Sequence, residues 1–351
     1  MSRQDNKILI IGPSWVGDMV MAQSLFIDLK QRQANSQIDV LAPAWTAALI
    51  DRMPQVSKLI SASFKHGKLN VGERFKLAKA LRAEQYDQAI VLPNSLKSAL
   101  VPALAKIPRR TGWLGEQRWG LVNDIRKLDK TALPMTVQRF VALGLEPEAP
   151  VRSIESIAAP LLSVDQTHVQ TVRNKNNLNS DAPVLVLCPG AEFGASKQWP
   201  VEHYAEVANH YLAQNWQVWL MGSDKDVAAC EQIKQQIRSE QQCHVLAGKT
   251  SLPDAVDLIS LANLVVSNDS GLMHIAAALQ KPLVAVYGST DPAHTPPLSP
   301  NHQIARLGLS CSPCFKRECP LAHDDGHLDC LKKLLPQGII SKSAKLLAEV
   351  A

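Results

Sequence analysis

The sequence has 351 residues, of which 46% are hydrophobic and 20% are charged. This length and balance exclude a disordered or fibrous chain and favour two globular domains over one. No apolar run approaches the roughly 18 residues that a membrane span requires, and the short apolar run near the start is not followed by a signal-peptide pattern. We therefore expect a soluble cytoplasmic protein.

Positive charge is concentrated in the first part of the chain. Residues 1–150 contain 21 Lys and Arg against 13 Asp and Glu, whereas the remaining residues contain 16 against 19. This asymmetry favours an anionic partner for the first part, which would be nucleic acid, an anionic membrane surface or a phosphorylated substrate. A solvated helix face such as ERFKLAKALR would account for part of the same excess.

Strands and helices alternate through the first half. Strands are predicted at 7–12, 37–43, 56–62 and 88–94. Helices are predicted at 18–32, 44–53, 71–85 and 95–107. This alternation predicts βαβ units and a parallel sheet with helices on both faces.

The first strand leads into IGPSWVGDMV, which places Asp18 at the start of a helix. An acidic residue in the first turn complements the positive end of the helix dipole. In a cleft, the same carboxylate is a candidate general base that takes a proton from an acceptor hydroxyl. The residues alone leave both interpretations open.

A polar stretch at 171–183 lacks apolar periodicity and is predicted to be the domain linker. The alternation then restarts, with strands at 184–190, 217–223, 244–248, 264–269 and 282–288, and helices at 201–214, 225–239, 252–262 and 271–279. We expect an N-terminal domain over 1–175, a C-terminal domain over 176–335, and a helix over 336–351 that packs back across both. Two doubly wound, Rossmann-like domains would face one cleft, bordered by their strand-end loops.

The segment SNDSGLMH (267–274) follows a strand and opens a helix in the second domain. The N–H groups of the first helical turn suit a diphosphate, and His274 lies one turn further along. The alternative is that Asp269 or Ser270 caps the helix and that His274 belongs to the core.

Two further strand-end loops carry charged residues. In PGAEFGASKQWP (189–200), Lys197 would neutralise a phosphate and Glu192 would accept sugar hydroxyls. An ordinary glycine-rich loop with a solvated lysine is the alternative. In MGSDKD, Asp224 would accept a ribose hydroxyl or cap the next helix. Neither half contains a P-loop, a G-x-G-x-x-G fingerprint or a G-x-S-x-G elbow.

Four of the seven cysteines lie close together in the segment 311–330. One C-x-x-C pair with two further cysteines has the ligand content of a zinc or iron–sulfur site, although the spacing matches no standard pattern. A structural metal that closes a loop is a candidate here, and a reducing compartment disfavours a disulfide. The four residues are Cys311, Cys314, Cys319 and Cys330.

Five segments together resemble a known family. They are IGPSWVGDMV, VLPNSLKSAL, RRTGW, CPGAEFGASKQWP and SNDSGLMHIAAAL, and they resemble the ADP-heptose:lipopolysaccharide heptosyltransferases over essentially the whole chain. The members that add the second inner-core heptose are the most similar branch. The resemblance implies a GT-B fold and an inverting transfer with no cofactor or metal in the chemical step.

Residue roles follow from the resemblance by position. Asp18 matches the base of the family, and Lys197 matches the lysine that contacts the donor diphosphate. The other implied donor contacts are Glu192, Asp224, Asp269, Ser270, Gly271 and His274. Lys97, Arg109 and Arg110 lie in the basic half, where a phosphorylated acceptor would bind.

The resemblance thus implies transfer of L-glycero-D-manno-heptose from ADP-heptose to the first heptose of heptosyl-Kdo2-lipid A. The enzyme would work at the cytoplasmic face of the inner membrane, touch its anionic leaflet peripherally, and bind no nucleic acid. Three alternatives stay open. They are transfer at another core position, a nucleotide-sugar epimerase of the same fold, and a non-catalytic regulator that binds a metal or a nucleotide.

Overall fold

The computed structural model describes residues 6–62, 64, 69–178 and 181–350. The chain divides into two compact units, Met1–Pro160 and Leu161–Ala351. Each unit contains one six-stranded sheet in which every strand pair is parallel. The predicted α/β class with two doubly wound sheets is therefore confirmed.

The first unit follows the predicted alternation and adds elements to it. Its strands are β1 (Lys7–Ile11), β2 (Gln37–Ala42), β3 (Lys58–Ser61), β4 (Gln88–Val91), β5 (Arg109–Trp113) and β6 (Asp124–Arg126). Its helices are α1 (Val16–Arg32), α2 (Ala47–Ile50), α3 (Val71–Ala83), α4 (Leu96–Leu104) and α5 (Thr136–Gly144). The helix predicted at 44–53 is shorter, because a 3-10 turn occupies Ala44–Thr46 before α2.

The second unit begins with a helix and then repeats the pattern. Its helices are α6 (Gln166–Lys175), α7 (Val201–Leu212), α8 (Val227–Gln235), α9 (Leu252–Ile259), α10 (Gly271–Ala278), α11 (Asp329–Lys332) and α12 (Pro336–Val350). Its strands are β7 (Val184–Cys188), β8 (Gln217–Leu220), β9 (Cys243–Val245), β10 (Leu264–Asn268), β11 (Leu283–Val286) and β12 (His302–Ala305).

The two sheets have the same strand order. The first is β3-β2-β1-β4-β5-β6, and the second is β12-β11-β10-β7-β8-β9, which is the same order counted from β7. In each sheet the first and fourth strands are neighbours, so the winding reverses between β1 and β4 and between β7 and β10. Ligands of such sheets bind beyond the carboxyl ends of the strands at this reversal.

The central strands are apolar on both faces because helices cover both. All residues of β7 (VLVLC), β10 (LVVSN) and β11 (LVAV) are buried. A continuous hydrophobic run of this kind is typical of a parallel sheet in an α/β domain. The buried strands hold the loops that follow them in fixed positions, and those loops carry most of the predicted site residues.

The predicted linker is wrong for its first part. Residues 166–175 form α6, which packs on α9 through the buried Val169 and Val172. His168 strengthens this contact, since its Nδ1 lies 2.5 Å from the buried carboxylate of Asp257. The units divide after Pro160, so α6 belongs to the second unit. Residues 179–180 of the predicted linker lie outside the described residues.

The last described helix, α12, packs on α7 and on β11 and β12 within the second unit. Its predicted packing across both domains stays a prediction, and residue 351 lies outside the described part of the chain. No helix among the described residues is long and apolar enough to cross a membrane.

Candidate active site

A buried ion pair lies at the winding reversal of the second sheet. Lys197 follows β7 and Asp269 follows β10, and the Lys197 Nζ lies 2.6 Å from Asp269 Oδ2. Thr290, from the loop after β11, donates its hydroxyl to the same oxygen at 2.6 Å. The side chains of Lys197 and Asp269 are 14% and 4% exposed, so little solvent weakens the pair. Three strand-end loops therefore meet at one carboxylate.

Asn268 fixes the relative position of two of these loops. Its amide donates to the carbonyl of Pro189 at 2.6 Å, and its Oδ1 accepts from Trp199 N at 3.2 Å and Tyr204 OH at 3.0 Å. Asn268 is fully buried. It thereby ties the end of β10 to the loop that carries Lys197, which holds the ion pair in register.

The helix predicted at 271–279 is α10, and it begins where expected. Ser270 is the N-cap residue of α10, but its side chain makes no capping hydrogen bond, and Gly271 is the first helical residue. The capping interpretation of Ser270 is therefore wrong. The first-turn N–H groups next to Asp269 retain the geometry that suits an anion.

His274 lies inside the same helix and is 5% exposed. Burial lowers its pKa to about 4, and the nearby Lys197 ammonium acts in the same direction against the carboxylate of Asp269. His274 is therefore neutral at physiological pH. A neutral imidazole donates one hydrogen bond and accepts another, so it cannot serve as a cationic phosphate ligand.

Glu192 and Asp224 lie in neighbouring loops at the same edge. The Glu192 carboxylate forms an exposed ion pair with Lys225, which directly follows Asp224. Asp224 starts a 3-10 turn, and the cap there is formed by Ser223 and Asp226, so the capping interpretation of Asp224 is wrong. The Asp224 side chain is exposed, and its contact with a ribose stays a prediction.

Sequence reasoning missed the contribution of the cysteine-rich segment to this loop. The backbone carbonyl of Arg317 accepts from Ser196 N at 3.1 Å. The guanidinium of Arg317 lies 5.6 Å from the centre of the Phe193 ring. The Lys197 ammonium lies 4.9 Å from the same ring. Phe193 therefore sits beside two cations at the donor loop. Only the FKRE letters next to the cysteines signalled a charged segment.

The four clustered cysteines do not form a metal site in the structure. Among the described residues, no group of three or more His, Cys, Asp or Glu side chains is arranged to hold a metal ion. Burial raises the pKa of Cys330 to about 11, and Cys311, Cys319 and Cys314 act in the same direction. The arrangement of these side chains therefore gives the structural-metal hypothesis no support.

In the first unit, Asp18 lies in the first turn of α1, directly after β1, and is half-buried. Lys97 lies in the first turn of α4, after β4, and is also half-buried. Because β1 and β4 are neighbours, both residues lie at the winding reversal of the first sheet. Their predicted association with one edge is therefore consistent with the fold.

Arg109 and Arg110 do not share the edge that carries Asp18, and their contact with a phosphorylated acceptor stays a prediction. Both stand at the start of β5, so they lie at the amino edge of the sheet, opposite the edge that carries Asp18. Arg109 forms ion pairs with Asp124 at 3.0 Å and with Glu146 at 2.8 Å. The Arg110 guanidinium donates to backbone carbonyls, among them that of Leu121 at 2.7 Å. Both arginines thus stabilise the edge of the sheet.

Two doubly wound parallel sheets in one chain are the architecture of the GT-B class. Residues 74–324 match the model of glycosyltransferase family 9 (heptosyltransferase). The chain belongs to this family. GT-B heptosyltransferase structures have the same two-sheet architecture.

Individual relatives match nearly the whole chain. Lipopolysaccharide heptosyltransferase 2 of Escherichia coli K12 is 46% identical over 98% of this chain and 100% of its own length. The Salmonella typhimurium protein of the same name is 45% identical over 98% of this chain and 99% of its own. The solved structure of E. coli ADP-heptose LPS heptosyltransferase II has a TM-score of 0.86 and 43% identity, covering 98% of this chain and 99% of that chain.

Proposed function

We propose that this enzyme transfers heptose from ADP-heptose to the first heptose of heptosyl-Kdo2-lipid A, with inversion at the anomeric carbon. The observation that carries the proposal is the buried pair of Lys197 and Asp269 beside the uncapped start of α10. This is a site for a diphosphate leaving group. The names of the relatives, 46% and 45% identical, support heptose as the sugar and lipopolysaccharide as the acceptor.

Lys197 is poised to hold the donor diphosphate. Its ammonium has three N–H donors, of which one meets Asp269 Oδ2 at 2.6 Å and another the Asp269 carbonyl at 3.3 Å. The third donor can meet a phosphate oxygen without breaking the ion pair. Asp269 thus positions the cation, and Ser270 and Gly271 supply backbone N–H groups to the same anion.

Asp18 acts as the general base in this mechanism. It removes the proton of an acceptor hydroxyl as that oxygen bonds to the anomeric carbon of the donor. The bond between the anomeric carbon and the diphosphate oxygen breaks, and its electron pair leaves with ADP. The reaction requires the Asp18 loop and the Lys197 loop to reach one pair of substrates.

The chemical step uses no metal in this proposal. Lys197 and the start of α10 supply the positive charge that the departing diphosphate needs. Enzyme dialysed against EDTA is therefore expected to keep its full rate. A rate restored only by added divalent cation would contradict this part of the mechanism.

Lys97 is the candidate contact for an acceptor phosphate, because it shares an edge with Asp18. Glu192 and Asp224 remain candidates for donor hydroxyls. We place the enzyme at the cytoplasmic face of the inner membrane, where its lipid acceptor would lie, with a peripheral contact to the anionic leaflet. The excess of Lys and Arg in residues 1–150 supports that contact.

An acceptor panel tests the proposal. Purified enzyme receives ADP-heptose with Kdo2-lipid A, heptosyl-Kdo2-lipid A or diheptosyl-Kdo2-lipid A, and products are weighed by mass spectrometry. One added heptose only on heptosyl-Kdo2-lipid A is expected. Transfer to another acceptor would reassign the core position, and conversion of the donor with no acceptor present would favour an epimerase.

A further inference from the structure

The backbone of the cysteine-rich segment is fixed between two strand-end loops of the second sheet. Ser196, in the loop after β7, donates its backbone N–H to the Arg317 carbonyl at 3.1 Å. Phe315 donates its backbone N–H to the carbonyl of Ser289, in the loop after β11, at 2.7 Å. The hydroxyl oxygens of Ser196 and Ser289 lie 3.0 Å apart, and both residues are buried. These hydrogen bonds hold Arg317 next to the loop that carries Lys197.

The side chain of Arg317 shares an aromatic ring with Lys197. The guanidinium carbon of Arg317 lies 5.6 Å from the centre of the Phe193 ring, and the Lys197 ammonium lies 4.9 Å from the same centre. Both cations are within the range of a cation–π contact, and a guanidinium also stacks well on an aromatic face. The two phosphates of one diphosphate can each meet one of these cations.

The loops that meet at Asp269 contain more negative than positive charge. Three carboxylates and one lysine lie in these loops, which span residues 189–200, 269–270 and 287–301. Lys197 is that lysine, and its ion pair with Asp269 is neutral as a whole. A nucleotide diphosphate brings a negative charge on each phosphate, so its binding calls for a cation from outside the three loops.

Arg317 is available as that cation. Two other cations near these loops already have carboxylate partners, since Lys225 pairs with Glu192 and Arg306 pairs with Asp291 at 3.2 Å. The Arg317 side chain is exposed and contacts the Phe193 ring, and it forms no ion pair within the described part of the chain. Its charge is therefore not spent on a carboxylate of the protein.

We propose that Arg317 is a second cation of the donor site and that its guanidinium binds the diphosphate of ADP-heptose together with Lys197. The proposal rests on the proposed function, which supplies this donor. A guanidinium forms two parallel hydrogen bonds with phosphate oxygens, and these bonds are charge-assisted. The diphosphate gains negative charge as its bond to the anomeric carbon breaks, so the contact strengthens in the transition state.

Calorimetry of the full chain with ADP and with adenosine tests the proposal. Arg317→Gln removes the charge, Arg317→Lys keeps the charge but loses the planar fork, and Lys332→Gln is the control. The control removes the same charge from an exposed position on α11, just after the cysteine-rich segment. We expect Arg317→Gln to lose roughly tenfold or more in ADP affinity, Arg317→Lys to lose less, and the control to match the wild type. Adenosine affinity should be equal in all four proteins.

Thermal unfolding and salt dependence separate a ligand contact from a structural role. Without ADP, Arg317→Gln should unfold at the temperature of the wild type, whereas added ADP should raise that temperature less in the variant. Added salt should weaken ADP binding more in the wild type than in Arg317→Gln. A lower unfolding temperature without ADP, combined with equal salt dependence, would make Arg317 a structural residue and overturn the proposal.

The affinities themselves provide two further outcomes that would overturn the proposal. Unchanged ADP affinity in Arg317→Gln would do so, and so would an equal loss for adenosine, which would place Arg317 at the nucleoside. With ADP-heptose and heptosyl-Kdo2-lipid A, Arg317→Gln should also lower kcat by roughly tenfold. Failure of the wild type to transfer heptose to this acceptor would refute the proposed function, and the ADP affinities would still decide the role of Arg317.

Discussion

At the scale of single residues, the central feature is the buried pair of Lys197 and Asp269. Asp269→Asn removes the negative charge and leaves the ammonium without its counter-charge in a largely buried place. We expect the free energy of unfolding to fall by about 3 kcal/mol, measured by urea denaturation. Thr290→Val is the control, since it removes only a neutral hydrogen bond and should cost about 1 kcal/mol. Equal losses in the two variants would show that the charge pair is unimportant.

His274 gives the protein a predictable dependence on pH. Burial lowers its pKa to about 4 from an ordinary value of 6.5. Between these two pH values the unfolded chain therefore binds more protons than the folded chain. The contribution of neutral His274 to the free energy of unfolding is complete above pH 6.5 and is lost as the pH falls toward 4. Between pH 7 and pH 4.5, the free energy of unfolding of His274→Gln should fall by about 2 kcal/mol less than that of the wild type. The exposed variant His323→Gln should follow the wild type, and identical curves for all three proteins would refute the shift.

Candidate site residues can be chosen from the sequence one by one, but their pairing cannot. The loops of Lys197 and Asp269 each indicate a contact with the donor phosphate, yet 72 residues separate the two in the chain. Their contact depends on β7 and β10 being neighbours, which is a property of the strand order. Arg109 and Arg110 show the converse. Their charge predicts an anion contact, whereas the amino edge of β5 places them among Asp124, Glu146 and backbone carbonyls.

At the scale of elements, the apolar central strands are predictable from the sequence and the polar elements are not. β5 (RRTGW), β6 (DIR) and β12 (HQIA) lack a continuous apolar run, so the pattern of the sequence gives them no strand signal. The helix α6 resembles a linker in its sequence because it buries only two of its residues, Val169 and Val172. Its stability comes from packing on α9, which is a tertiary contact.

The packing of α6 leads to a test by substitution. Val172→Asp puts an unpaired carboxylate against α9, and we expect a loss of about 3 kcal/mol or more in unfolding free energy. The neighbouring exposed variant Thr171→Asp should change the same quantity by less than about 0.5 kcal/mol. If Val172→Asp lowered the free energy of unfolding as little as Thr171→Asp, residues 171–175 would behave as a linker after all.

The contact between the donor loop and the cysteine-rich segment depends on Gly194. This residue has φ +155°, and a Cβ there would lie 2.3 Å from the Arg317 carbonyl oxygen. Gly194→Ala should push the segment away from the loop of Lys197 and weaken ADP binding by roughly tenfold or more, as measured by calorimetry. Gly72→Ala is the matched control, because a Cβ at that position would have nothing within 4 Å of it. Unchanged ADP affinity in Gly194→Ala would show that the cysteine-rich segment does not contribute to donor binding.

At the scale of the whole molecule, the two units repeat one strand order and differ in chemistry. The first part of the chain carries the excess of Lys and Arg, which suits an anionic partner. The second unit contains the buried Lys197–Asp269 pair and the start of α10, which suit a nucleotide diphosphate. In the proposed mechanism each substrate has a unit of its own, and Asp18 links activation of the acceptor to transfer from the donor.

The most direct test of that link is acceptor-dependent ADP release by Asp18→Asn. With ADP-heptose and heptosyl-Kdo2-lipid A, the variant should be slower than the wild type by at least about 100-fold. Its affinity for ADP-heptose should stay within about twofold, since Lys197 lies in the other unit. The exposed variant Asp51→Asn should match the wild type in both measurements. Wild-type turnover by Asp18→Asn would contradict the proposed mechanism and reduce Asp18 to a charge at the start of α1.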